Sequence, residues 1–218
     1  SLQIKNKQLP EKYILFITNS PTYNNNLKIV KYLREQIADE IMLVIRLHPS
    51  FLYESYDNRL KQHVKLSKKY NNLIYSFPSL ENNTMATNMS FSEIQNSASL
   101  IAGAHIIINL GSTLILDSII CGRFIVNIIF DWNKIDQESP LRPSLSPFRH
   151  HLSRAITHND IYNIEDKNKM ISTIYKLYKK PIQKFKNPLK NKNVVLDECG
   201  LINGNVNRRI VQSLYNMK

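Results

Sequence analysis

What this sequence has little of narrows its chemistry. It holds two cysteines in 218 residues. Cys121 and Cys199 follow no metal-ligand or redox spacing, which excludes a disulfide scaffold or a zinc ribbon and makes a reducing cytosol the simplest setting. There are five glycines. None completes a Gly-x-Gly-x-x-Gly fingerprint or a Walker loop. No apolar run approaches the roughly 20 residues that span a bilayer. The longest, HIIINLGSTLILDSIICGRFIVNIIF, is broken at Gly111 and at Cys121-Gly122-Arg123, so it reads as strand, helix, strand. The opening SLQIKNKQLPEK has neither a Met nor a signal-peptide core. We read residues 1–12 as a linker from a preceding domain, and residues 13–218 as a single large domain.

Acidic residues are also in short supply. Seventeen Asp and Glu face 29 Lys and Arg, for a net charge of +12. A surplus of that size attracts nucleic acid, anionic headgroups or phosphate-bearing small molecules. It concentrates in KYLREQ, in RLKQHVKLSKKY and in KLYKKPIQKFKNPLKNKN. The first two read as solvated helix faces and the third as a candidate electrostatic patch or a linker. The apolar share of 43% is that of an ordinary globular protein.

That apolar content is patterned. KYILFITNS (12–20), IMLVIRL (41–47), NLIYSFP (72–78), HIIINL (105–110) and RFIVNIIF (123–130) are short apolar runs bounded by turn-formers, as buried strands are. Helical spacing fills the intervals: 24–38, 56–70, 91–104 with Ser90 or Ser92 as its N-cap, and 112–122. The polar stretch 79–90 reads as a loop. DWNKIDQESPLRPSLSPFRHH is read as an extended loop, and helices are expected over 164–179 and 205–218. Alternating strands and helices, with strands apolar on both faces, predict an α/β fold: a Rossmann-like parallel sheet flanked by helices.

Two strand ends carry chemistry. The second strand finishes in RLHPS, where Pro49 can neither extend a strand nor donate to a ladder. Arg46 and His48 are thereby left at the carboxyl end of a strand, where open α/β sheets hold their ligands. Ordinary loop polarity is the bland alternative. The fourth strand finishes in NLGSTLILD. Gly111 allows close approach, Ser112 and Thr113 offer hydroxyls at a helix start, and that start attracts anions. Asp117 falls one turn beyond Thr113, at a height suited to ribose hydroxyls. Here the bland alternative is an N-cap serine and a surface carboxylate. A cation, an imidazole, a helix terminus and hydroxyls on one edge of a sheet together suit a nucleoside diphosphate.

The series strand–RLHP–helix–strand–GST-x-x-x-Asp–helix resembles the C-terminal, nucleotide-binding domain of GT-B-fold glycosyltransferases of bacterial surface polysaccharide synthesis. RLHPS resembles the His-Pro motif of bacterial sialyltransferases, capsule Kdo transferases and CDP-glycerol glycerophosphotransferases. GSTLILD resembles their Ser-Ser/Thr motif. HHLSR (150–154) resembles a His-Leu-x-Arg stretch, and CGLINGNVNRRI (199–210) a closing Asp-Gly-x-x-x-x-Arg helix, with Asn203 where an Asp is usual. The resemblance runs from Tyr13 to Met217.

It implies half of a GT-B enzyme, which binds a nucleotide-activated sugar or CDP-glycerol and transfers it to a glycan or lipid-linked acceptor held by an N-terminal domain. His48, assisted by Arg46, would stabilise or protonate the leaving phosphate. Gly111, Ser112 and Thr113 would hold phosphates, Asp117 the ribose, and His151 and Arg154 would close over the donor. No cofactor is expected beyond the nucleotide donor, and no metal, since the chain contains no Asp-x-Asp. The implied setting is cytoplasmic, peripheral to the inner face of the membrane. Sugar-nucleotide 2-epimerases share that fold, but their Ser-Gly-Gly is Gly-Ser-Thr here. A non-catalytic basic module binding nucleic acid or anionic membrane is the third reading. Lysine dominance and the lack of a recognition helix weigh against nucleic acid. Of the other histidines, His63 reads as solvated in a charged helix, and His105 as structural.

Overall fold

The computed structural model describes residues 9–78, 90–133, 143–144, 153–157, 160–182, 205 and 212. Within them lie six strands: β1 (Tyr13–Ile17), β2 (Met42–Arg46), β3 (Leu73–Ser76), β4 (Ile106–Asn109), β5 (Phe124–Ile128) and β6 (Ile161–Ile164). Five helices accompany them: α1 (Asn26–Gln36), α2 (Asp57–Ser67), α3 (Phe91–Gly103), α4 (Leu114–Ile120) and α5 (Lys167–Tyr178). The strands form one sheet in the order β3-β2-β1-β4-β5-β6, every pairing parallel.

Helices cover both faces, which explains why the strands are apolar on both sides. Ile14 and Phe16 of β1 share a core with Ile29 and Leu33 of α1, Leu66 of α2, and Ile174 and Leu177 of α5. The alternate residues Tyr13, Leu15 and Ile17 pack with Leu100 and Ile101 of α3. Ile115 and Ile119 of α4 meet Ile125 of β5. One face of the sheet therefore carries α1, α2 and α5, and the other carries α3 and α4.

The expected Rossmann-like architecture is present, with all five expected strands and five of the expected helices in place. The sixth strand was not expected. IYNI is four residues long, contains asparagine and is only half covered at a sheet edge, so it carries no strand periodicity. Ser90 is the N-cap of α3, its Oγ accepting from Glu93 N at 3.1 Å. Asp166 caps α5 by accepting from Lys169 N at 2.8 Å. The expected helix over 205–218 and most of the proline-rich segment lie outside the described residues.

His63 corrects an expectation. It is 2% exposed rather than solvated. Leu60, His63 and Leu66 fall three residues apart and share the inward stripe of α2. The His63 Nδ1 lies 3.0 Å from the Tyr75 hydroxyl. His105 is structural as expected, buried with its Nε2 3.2 Å from the Leu177 carbonyl.

Candidate functional site

The sheet order reverses between β1 and β4, and the loops leaving β1, β2 and β4 meet at the carboxyl edge beside that reversal. This is the position at which open α/β sheets form a ligand crevice.

The loop after β1 ties the other two together. Thr18 donates its N–H to the Arg46 carbonyl at 3.0 Å, and its hydroxyl accepts the His48 N–H at 2.9 Å. Asn19 Nδ2 donates to the Leu110 carbonyl at 3.3 Å. Asn26, buried in the first turn of α1, accepts from Asn19 N and donates to the Ser20 and Tyr23 carbonyls, each at 3.0 Å. The strand end bearing His48 and the turn bearing Ser112 are thus both held through Thr18 and Asn19. The sequence signal for these residues is the dense polar run TNSPTYNNN between an apolar strand and an apolar helix.

His48 is half buried in extended backbone (φ −63°, ψ 140°) and caps the short 3-10 turn Pro49–Leu52. Its Nδ1 accepts the Ser50 N–H at 3.2 Å. Burial also holds the imidazole below the usual histidine range. A ring whose Nδ1 is occupied as an acceptor is neutral and carries its proton on Nε2. Burial and this contact favour the neutral imidazole, with Nε2 left to donate, over the protonated acid expected from the sequence.

Arg46 is not at the open edge. It is 6% exposed, and its guanidinium pairs with Glu93 and donates to Ser76 Oγ at 2.9 Å and Ser97 Oγ at 3.0 Å. The period-two alternation of β2 puts Arg46 on the same side as Val44, which packs with α3 residues. Its charge is consumed in a brace between β2, β3 and α3, so direct contact with a donor phosphate is replaced by support of the strand end.

The second motif forms a tight turn. Gly111 has φ 70°, a left-handed conformation that a side chain would strain. Ser112 N donates to Asn109 Oδ1 at 3.2 Å, and Ser112 Oγ accepts from Leu114 N at 3.3 Å. Two amides of this turn are therefore already satisfied, and Thr113, not Ser112, stands at the N-cap of α4, with no side-chain cap bond. Thr113 and Asp117 are exposed, Thr113 at the start of α4 and Asp117 one turn along it. Although Asp117 is exposed, neighbouring atoms strip enough water from its carboxyl to raise it above the usual range.

Asn109, Asn127 and Asn163 occupy the same register on β4, β5 and β6. Asn109 Nδ2 donates to Asn127 Oδ1 at 3.1 Å, Asn127 Nδ2 to Asn163 Oδ1 at 3.0 Å, and Asn163 Nδ2 to the Ile156 carbonyl at 2.8 Å. This ladder links the Ser112 turn to the segment holding Arg154. Arg154 itself is exposed, just before Ala155 and Ile156, which pack against Ile115 and Ile119. No contact joins Arg154 to His48 or Ser112 among the described residues. His150 and His151 lie outside those residues. Asp131 is engaged by Ser144, whose N and Oγ donate to it at 3.2 and 2.8 Å.

A recess of about 140 Å³ lies beside the β1 loop, lined in part by Tyr23, Asn26, Phe51, Arg59 and His63. That is smaller than the roughly 300–1,000 Å³ typical of ligand pockets. Among the described residues no group of three or more His, Cys, Asp or Glu is placed to hold a metal.

The sheet order and its reversal define a Rossmann-like α/β domain. Solved structures of UDP-GlcNAc 2-epimerases have that fold. The enzyme from Methanocaldococcus jannaschii is 13% identical with a TM-score of 0.50, over 96% of this chain and 47% of that one. The same organism's enzyme in complex with UDP-GlcNAc and UDP is 15% identical, TM-score 0.49, over 94% and 45%. The Neisseria meningitidis enzyme bound to UDP-GlcNAc is 15% identical, TM-score 0.47, over 94% and 44%. The chain spans just under half the length of these enzymes, and at such identities the likeness is one of fold. No protein-family model and no curated protein matches the sequence.

Proposed function

We propose that residues 13–218 are the nucleotide-sugar-binding unit of a two-domain enzyme of GT-B-like architecture. The observation that carries this reading is the convergence of His48 and the Gly111-Ser112-Thr113 turn, through Thr18 and Asn19, at the reversal point of the sheet. His48 Nε2–H and the Thr113 hydroxyl are the donors offered to a diphosphate, and Asp117 is the acceptor offered to ribose hydroxyls. Such fixed donors stabilise charge developing on a leaving phosphate without reorganising. The reaction we favour from the motif order is transfer of the activated sugar, or of glycerol phosphate, to an acceptor supplied by the other domain. No separate cofactor is needed for that step.

A second reading, a sugar-nucleotide epimerase, is favoured by the fold shared with UDP-GlcNAc 2-epimerase. Calorimetric titration with CDP, CMP, UDP and GDP separates the two. Selective binding of CDP supports the transferase reading, and selective binding of UDP, with conversion of UDP-GlcNAc to its C2 epimer, supports the epimerase. Loss of one charge-assisted hydrogen bond weakens binding roughly tenfold or more, and that is the expected effect of His48→Ala and of Thr113→Val. Equal, salt-sensitive binding of all four nucleotides, unaltered in both variants, would remove the site.

A further inference from the structure

The three lysine-rich stretches of the sequence are far apart in the chain, and the fold brings their helical parts to one side of the sheet. KYLREQ belongs to α1, RLKQHVKLS to α2, and KLY leads out of α5. All three helices lie on the face that buries Ile14 and Phe16. Together they contain nine Lys and Arg against two acids, Glu35 and Asp57. On the opposite face, α3 and α4 contain no Lys or Arg and two acids, Glu93 and Asp117. Of the two arginines on the basic face, Arg34 is buried against the Ile41 and Ala38 carbonyls and Arg59 is tied to the Pro21 carbonyl. Lys28, Lys31, Lys61, Lys65, Lys169 and Lys176 are all exposed.

We propose that the face formed by α1, α2 and α5 docks on an anionic membrane leaflet. The charge pattern selects that partner over others. Lysine is a compact point charge suited to diffuse attraction by headgroups, whereas phosphate-backbone and base recognition draws on the planar fork of arginine. Stacking of single-stranded nucleic acid needs open aromatic rings. On this side Lys69 lies over the ring of Tyr70 at 4.9 Å, and Lys167 over Trp132 at 4.3 Å. Protein interfaces are depleted in lysine and centred on aromatic or arginine anchors. No helix among the described residues is long and apolar enough to cross a membrane, so the attachment is electrostatic and lateral. His48 and the Gly111-Ser112-Thr113 turn follow the carboxyl ends of β2 and β4 and are not part of these three helices. The proposal is independent of the nucleotide reading.

The test is flotation of the 218-residue chain with vesicles of phosphatidylglycerol and phosphatidylcholine in equal parts, and with phosphatidylcholine alone. We expect binding to the anionic vesicles only, weakening as salt rises. A lysine near such a surface contributes roughly fivefold to partitioning, so the combined variant K61Q/K65Q/K169Q/K176Q should lose about a hundredfold or more. The control variant Q95E/N96D/S99E/A102E makes the same change in net charge on exposed positions of α3, and should keep most of the binding. Circular dichroism checks that both variants fold. Equal loss in the two variants, no preference for anionic vesicles, or displacement from vesicles by RNA at low concentration would each overturn the proposal.

Discussion

Arg46 and His48 stand two residues apart and do different work, and the difference follows from where the strand ends. Arg46 is still within β2, so alternation directs it towards α3 and Glu93. His48 lies beyond the strand, where Pro49 has released the backbone. RLHPS disclosed that the strand stops, but not that the partner of Arg46 sits 47 residues further on, because no local pattern encodes a pair so remote. His63 was obscured in the opposite way: its charged neighbours Lys61 and Lys65 hid the apolar stripe it shares with Leu60 and Leu66. The Arg46–Glu93 pair makes a clear prediction. Removing one member of a buried pair strands the other's charge, at a cost of about 3–5 kcal/mol, whereas replacing both by apolar groups of similar size costs far less. Arg46→Met should lower stability by that amount in urea unfolding, and Arg46→Met with Glu93→Met should recover most of it. Equal stability of the single variant and the parent would show that the brace contributes nothing.

At the scale of elements, the buried parallel strands were legible because each is an apolar run closed by a turn-former, and the helices because their apolar spacing survives between polar residues. β6 was not legible. Its two central residues are half exposed, and its hold on the sheet comes partly from polar side chains. The asparagine ladder shows how such a strand is retained. Asn127 is fully buried; it accepts from one neighbour and donates to the next. Asn127→Leu would strand Asn109 Nδ2 on one side and Asn163 Oδ1 on the other. An orphaned buried polar group costs about 1–3 kcal/mol; Asn109 is fully buried and Asn163 half exposed, so a loss near one such penalty is expected in a thermal melt. Since Asn109 Oδ1 also holds the Ser112 N–H, the same variant should weaken nucleotide binding more than its stability loss alone would dictate at saturating folded protein. A variant as stable as the parent would mean that the ladder is incidental to the attachment of β6.

Over the whole molecule, charge and burial make stability depend on acid in a definite direction. Three histidines, His48, His63 and His105, are held below the ordinary histidine range, chiefly by burial. Burial pushes His63 down to about 4. In the unfolded chain the same imidazole titrates near 6.5. Between those values the unfolded state binds the proton and the folded state does not, so acidification favours unfolding. The stabilising contribution is complete above the unfolded value and is lost as pH falls towards the folded one. For His63 alone that amounts to about 2 kcal/mol between about pH 7 and about pH 5, by linkage of a single site. His105 adds in the same sense: its Nδ1 is buried without a partner, and Lys12 and Arg123 further oppose a charge there. His63→Gln keeps an amide within reach of the Tyr75 hydroxyl and removes the titration. Urea unfolding across this pH range should therefore give a steep loss of stability in the parent and a slope shallower by up to one proton, about 1.4 kcal/mol per pH unit, in the variant. Parallel pH profiles would show that His63 is protonated in the folded protein. That would contradict its burial between α2 and β3, which disfavours an imidazolium beside the Tyr75 hydroxyl.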